Sequence, residues 1–179
     1  ITTTSTDNEA IVKALYEGIK PESLVWTISD RDISVGEHHK TFGSKTVPIS
    51  LAKSTFRIDP WSFFQASPDA MDLVINKMRE HLPEDASVLD LYCGVGTIGI
   101  ALHPKQLFGV ESNEHAVQLA RSNATSNELG ATFTTSAAHA TKLQADVIIV
   151  DPPRTGLQMA VHTIKAANPE YIFYLSCNP

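Results

Sequence analysis

The sequence predicts an α/β protein whose main domain is doubly wound around a mostly parallel sheet and is preceded by a small α/β lead-in. Three observations predict it. From about residue 68 onward, short apolar runs alternate with helix-like stretches, a pattern that calls for crossover connections and parallel strands. A glycine-rich turn follows the first of these runs, at Asp90 to Gly99. Two later runs empty into proline-containing loops, Asp151-Pro152-Pro153-Arg154 and Ser176-Cys177-Asn178-Pro179, at the carboxyl edge where open α/β sheets hold their ligands.

The lead-in takes residues 1–58. Ile11, Leu15 and Ile19 stand at helical spacing, and β-like runs follow at Ser23 to Ile28, Arg31 to Val35 and Thr46 to Leu51. The composition changes at Asp59-Pro60-Trp61-Ser62-Phe63-Phe64-Gln65, an aromatic cluster that opens the main domain over residues 59–179. Ser67 can cap the next helix, with Pro68 suited to its first turn and Asp69 complementing its dipole. Met71, Val74, Ile75, Met78 and Leu82 fall on one stripe, which reads as core.

Strands and helices then alternate. Ser87 to Leu91 leads to a helix from Gly96; Leu107 to Glu111 leads to a helix from Asn113 to about Asn127; Thr132 to Thr135 is a third strand. Asp146 to Val150 leads to a helix from about Gly156, and Tyr171 to Leu175 is the last strand. That strand is left as an exposed apolar edge, which proteins usually cover, so the natural chain is expected to continue past Pro179.

A chain of 179 residues with 42% apolar content can bury one full core and a small appendage. No apolar run approaches the ~20 residues needed to cross a bilayer, and the start Ile1-Thr2-Thr3-Thr4-Ser5 has no signal pattern, so a cytoplasmic protein is expected. The two cysteines, Cys93 and Cys177, each lie inside a motif and are too few for a disulfide framework or a cysteine-ligated metal site. A net charge of -6 excludes a grip on nucleic acid through bulk positive field.

Asp90-Leu91-Tyr92-Cys93-Gly94-Val95-Gly96-Thr97-Ile98-Gly99 contains a G-x-G-x-x-G, which lets a backbone turn tightly against a ligand. Glu111 ends the next strand, about 20 residues on, where a carboxylate can take both hydroxyls of a ribose. A dinucleotide and S-adenosylmethionine both fit this outline. Asp90, four positions before the first glycine, would repel a pyrophosphate and attract an ammonium or sulfonium, which favours S-adenosylmethionine.

Asp146 to Gly156 reads as a buried strand emptying into a rigid loop whose prolines lack N–H donors, leaving carbonyls and the Asp151 carboxylate as acceptors. Cys177 ends the last strand as a candidate nucleophile. Cys93 reads as a small packing residue of the turn.

With Ser62-Phe63-Phe64-Gln65, Asp90-Leu91-Tyr92-Cys93-Gly94-Val95-Gly96-Thr97, Asp151-Pro152-Pro153-Arg154-Thr155-Gly156 and Ser176-Cys177-Asn178-Pro179 in this order, the chain resembles the RNA 5-methyluridine methyltransferases. The resemblance implies a Rossmann-like methyltransferase domain that uses S-adenosylmethionine and acts on a uridine of tRNA or rRNA. It implies that Cys177 adds to C6 of uracil, that Asp151 contacts the uracil edge, and that Phe64, Pro152 and Arg154 lie on the substrate side. Gln65, Asp90, Tyr92, Gly94, Gly96, Thr97, Glu111 and Asp151 would contact the cofactor. No metal and no membrane are implied.

This sequence departs from the family at Ser67, where asparagine is frequent, and at Ala137-Ala138-His139, where an acidic or amide residue often meets the adenine. His139 is read as a solvated loop residue. The family's general base is a glutamate beyond Ser-Cys-Asn-Pro, so the segment ending at Pro179 is expected to bind cofactor without turning over. Two rival readings remain: a dinucleotide-dependent oxidoreductase built on Gly94, Gly96 and Gly99, and a non-catalytic cofactor-binding module.

Overall fold

The computed structural model describes residues 1–29, 37–65 and 67–176. The expected run Arg31 to Val35 and the thiol of Cys177, with Asn178 and Pro179, lie outside the described residues. The chain divides into two compact units, Ile1–Val47 and Pro48–Pro179.

In the first unit, strands β1 (Thr2–Thr3), β2 (Ser23–Ile28) and β3 (Glu37–Gly43) form one sheet in that order, with β1 parallel and β3 antiparallel to β2. Helix α1 (Glu9–Ile19) supplies Val12 to a small core with Leu24 and Trp26. Trp26 is fully buried, and its Nε1 donates to Thr3 Oγ1 at 2.8 Å, so the indole keeps its hydrogen bond inside. The helix buries a different stripe from the one its spacing suggests. Ile11, Leu15 and Ile19 are 61%, 41% and 69% exposed. Val12 and Tyr16, four apart, face the sheet instead, because Tyr16 meets the Phe42 ring at 5.6 Å and Val12 closes over Trp26.

The second unit begins inside a hairpin, one residue into β4 (Val47–Leu51), which Ala52 and Lys53, with φ of 49° and 72°, join to β5 (Ser54–Ile58). Two positive φ values in a two-residue loop match the twist of a tight hairpin. Composition extends the lead-in to residue 58, yet Leu51 and Phe56 of this hairpin are buried in the second unit's core.

Helix α2 (Pro68–Arg79) is capped as its sequence predicts, with Ser67 Oγ accepting from the Ala70 N–H at 3.4 Å and Met71, Ile75 and Met78 buried. Five parallel strands follow: β6 (Ser87–Leu91), β7 (Gln106–Glu111), β8 (Ala131–Thr135), β9 (Val147–Val150) and β10 (Tyr171–Tyr174). Their order is β10-β9-β6-β7-β8. The winding reverses between β6 and β9, and a crevice forms outside the carboxyl ends of strands at such a reversal.

The sheet is covered on both faces, as a period of two along each strand demands. Val88, Val147 and Ile149 point to the face covered by α2, α3 (Thr97–Leu102) and α4 (Glu114–Ser126). Leu89, Leu91, Ile148 and Val150 point to the other, where Ala160 and Ile164 of α5 (Ala160–Ala167) pack. Helix α5 starts later than the expected Gly156, because Gly156 and Gln158 are left-handed (φ 75° and 45°) and turn the chain before it coils. Tyr171, Ile172 and Tyr174 of the edge strand β10 are exposed.

Two side chains of α4 fasten the hairpin to the sheet. Asn127 accepts from the Thr55 N–H at 3.0 Å and donates to the Thr55 carbonyl at 2.8 Å. Asn123, one turn earlier, accepts from the Arg57 N–H at 2.8 Å and donates to the carbonyls of Arg57 (3.3 Å) and Val95 (3.1 Å). Each amide pairs with β5 as a neighbouring strand would, which satisfies an edge that the sheet leaves unpaired.

Candidate active site

The loop after β6 is a tight turn built on left-handed residues: Tyr92, Gly94 and Gly96 have φ of 63°, 54° and 83°. The glycines do different work. A Cβ at Gly96 would stand 2.5 Å from Ile100 Cδ1, so this position needs glycine for packing. A Cβ at Gly94 would meet nothing within 4 Å, so this turn presents bare backbone to open space.

Glu111, at the tip of β7, reaches back to that turn. Its Oε2 accepts from the Gly94 N–H at 3.2 Å, and its Oε1 accepts from Ser112 Oγ at 3.1 Å and the Asn113 N–H at 2.9 Å. Asn113 in turn caps α4. The carboxylate thus lies between the glycine turn and a helix N-terminus, on the wall of a cavity of about 170 Å³ lined by Tyr92, Val110, Glu111, Ser112, Ser136, Ala137, Ala138, His139, Pro153, Thr155, Gly156 and Gln158.

Asp90 does not join it. Its carboxylate is 2% exposed and accepts from the Gly99 N–H of α3 at 3.0 Å. Burial, with a smaller push from Asp151 and Glu111, raises its pKa to about 7, against the pull of the Gly99 bond. Position 90 shares the sheet face of Val88, so its side chain points under α3 and not out of the strand end. The sequence expects Asp90 to meet the ligand; in the structure its carboxylate is turned inward and accepts from α3.

Thr97 is likewise buried in α3, and Gly96 faces Ile100. Of the residues expected at the cofactor, Tyr92 and Glu111 line the cavity and Gly94 donates to Glu111. His139, read from sequence as a solvated loop residue, is exposed but stands on the cavity wall. Ser112, Ser136 and Gln158 were not singled out by sequence; only their adjacency to strand ends could have found them.

The loop after β9 walls a second cavity of about 160 Å³, lined by Pro152, Pro153, Arg154, Thr155, Gly156, Tyr174 and Ser176. Pro153, Thr155 and Gly156 line both cavities. Asp151, which starts this loop, accepts from Gln65 Nε2 at 2.7 Å. Burial pushes the Asp151 carboxyl up, while the Gln65 bond holds it down. Phe64 packs its ring 6.0 Å from Phe56, behind Gln65. Cys93 is buried, and burial with the nearby Asp90 and Glu111 carboxylates raises its thiol well above the usual range, which disfavours the thiolate. Among the described residues, no cluster of His, Cys, Asp and Glu could hold a metal ion, and no helix is long and apolar enough to cross a membrane.

Residues 55–169 match the family model described as the methyltransferase small domain. An uncharacterized RNA methyltransferase of Enterococcus faecalis is 39% identical over 187 residues, covering 94% of this chain and 41% of that protein. The tRNA (uracil(54)-C(5))-methyltransferase of Pyrococcus horikoshii is 36% identical over 163 residues, covering 88% of this chain and 40% of that protein. The crystal structure of the Pyrococcus abyssi tRNA (uracil-54, C5)-methyltransferase, in complex with S-adenosyl-L-homocysteine, is similar with a TM-score of 0.79 at 33% identity, over 88% of this chain and 42% of that one. The chain therefore spans about two fifths of the length of these relatives.

Proposed function

The chain belongs to the methyltransferase small-domain family, and from that premise we propose that it carries the methyl-transfer chemistry of an RNA uracil C5-methyltransferase, using S-adenosylmethionine and Cys177. One observation carries the reading. A single loop, Pro153 to Gly156, walls both a cavity headed by a ribose-type carboxylate, Glu111, and a second cavity that ends at Ser176, the residue before Cys177. The names of the relatives, RNA and tRNA (uracil-54) methyltransferases, support the same substrate class.

The residues of the first cavity fit the cofactor's chemistry. Glu111 offers a carboxylate for ribose hydroxyls, and Gly94 leaves open space beside it. When bound, the cofactor supplies an electrophilic methyl group on a sulfonium.

The chain's own groups prepare the acceptor. The Cys177 thiolate adds to C6 of uracil, forming a C–S bond as the C5–C6 π electrons move toward C5 and O4. C5 is not nucleophilic until this happens. Asp151, held by Gln65, offers its free oxygen to the uracil edge, and Pro152 and Arg154 close the substrate side. After methylation, loss of the C5 proton to a base re-forms the C5–C6 double bond and expels the Cys177 thiolate.

In the full-length protein, Cys177→Ala should abolish covalent trapping of RNA bearing 5-fluorouridine while calorimetry still detects S-adenosylhomocysteine. Survival of the adduct ends the proposal. Binding of NADH in place of S-adenosylhomocysteine would instead favour an oxidoreductase.

A further inference from the structure

Neither cavity is lined by His115, yet its Nε2 is hydrogen bonded to Asp59 Oδ2. The Asp59 side chain is only 8% exposed, and both its oxygens are used: Oδ1 accepts from the Trp61 N–H at 3.0 Å. Asp59 and Ser62 also close a turn on themselves. The Asp59 N–H donates to Ser62 Oγ at 3.0 Å, while Ser62 returns its N–H (3.2 Å) and its hydroxyl (2.9 Å) to the Asp59 carbonyl.

Residues 63–65 belong to no helix or strand. Phe63 is 73% exposed, so little apolar contact holds it. The position of Gln65 therefore depends on side-chain anchors: the closed 59–62 turn on one side, Phe64 against Phe56 behind, and Asp151 ahead.

The other partner of the bond is fixed by the ligand wall. His115 lies in the first turn of α4, where its N–H donates to Asn113 Oδ1 at 3.0 Å, and the Asn113 N–H donates to Glu111 Oε1 at 2.9 Å. The helix dipole favours a carboxylate at this end, and Asp59 supplies it. Consecutive hydrogen bonds thus run from Glu111 through Asn113, His115 and Asp59 to the turn that carries Gln65.

We propose that the Asp59–His115 bond is a latch: it positions the 59–65 arm so that Gln65 reaches Asp151, and it ties that arm to the Glu111 wall of the cofactor cavity. His115 is a positioning residue, acting through Gln65. The purpose of the arm rests on the methyltransferase reading, but the latch itself rests on the contacts alone.

Hydrogen exchange and calorimetry with S-adenosylhomocysteine on the full-length protein test both parts. Without ligand, His115→Ala should speed exchange of residues 61–65 by about tenfold, the loss expected for one charge-assisted bond, with α2 and β6 unchanged. It should also weaken S-adenosylhomocysteine by about threefold to tenfold; His115→Gln, which keeps a donor, should restore most of the affinity. In a Gln65→Ala background, His115→Ala should cost no further affinity, because the latch has nothing left to position.

Unchanged exchange at 61–65, or losses that simply add, would overturn the latch. His115→Leu, which removes both ring nitrogens and leaves the Asp59–Ser62 bonds in place, gives the same reading should His115→Ala melt below working temperature. A wild-type protein that binds no S-adenosylhomocysteine would defeat the functional reading, and exchange without ligand would then judge the latch by itself.

Discussion

Gln65 Nε2 donates to Asp151 Oδ2 at 2.7 Å, joining two positions 86 residues apart. The bond brings the aromatic arm before α2 to the loop after β9, at the reversal of the sheet. It also acts on the Asp151 carboxyl, which burial pushes up and the Gln65 bond pulls partly back. Gln65→Ala should therefore raise the Asp151 pKa further. Carbon-13 NMR of the side-chain carboxyl against pH measures this; a midpoint that does not move upward would mean the donor is not felt.

Asp90 makes stability depend on pH. Its carboxyl titrates near 3.8 when unfolded and about 7 in the fold, so between those values the native state holds a proton that the unfolded chain has released. Stability is then greatest below the unfolded pKa and falls as pH rises through 7, by up to about 4 kcal/mol. Asp90→Asn, which keeps an acceptor for Gly99, should flatten that decline. Denaturant melts at pH 4 and pH 8 compare the two proteins, and parallel pH profiles would refute the assignment.

Asn123 is 1% exposed and carries three hydrogen bonds to the backbone of β5 and the glycine turn. Asn123→Ala strands those groups and should cost about 3 kcal/mol in urea unfolding. Asn127→Ala, at the exposed end of the same clamp, should cost about 1 kcal/mol. Equal losses at the two positions would show that burial does not set the difference.

Glu111 accepts three hydrogen bonds within the protein, one of them from Gly94. Glu111→Ala should lower S-adenosylhomocysteine affinity by at least about tenfold, as expected for hydrogen bonds to a charged group, with the far-UV circular dichroism spectrum unchanged. Undiminished calorimetric affinity would move the ligand elsewhere.

Cys93 is buried beside Gly109, with its thiol pKa raised. Iodoacetamide should therefore reach Cys93 only after unfolding. Mass mapping of a native protein alkylated at Cys93 would contradict the burial.

Local rules were enough to find the five strands of the parallel sheet, most of them short apolar runs bounded by turn residues, and the α2 cap, because Ser67, Pro68 and Asp69 act within one turn; they missed β1, β5 and the polar β3, which the pairing of neighbouring strands decides. They were not enough at α1. There the spacing of Ile11, Leu15 and Ile19 described an apolar stripe, but Val12 and Tyr16 won the inner face through contacts with Trp26 and Phe42, residues more distant in the chain. Position 90 shows the same limit: strand alternation says that Asp90 and Leu91 face opposite ways, and only the crossover of α3 decides that the Asp90 side is covered.

By itself the sequence determined the α/β order and the glycine turn, since backbone sterics, capping and period act over a few neighbours, while Gln65 was singled out only by the family resemblance. The tertiary structure alone decided which residues meet: the Gln65–Asp151 bond, the loop shared by two cavities, and His139 at the wall. Those are contacts between strand ends far apart in the chain, and they exist only once the sheet has ordered itself with β9 beside β6.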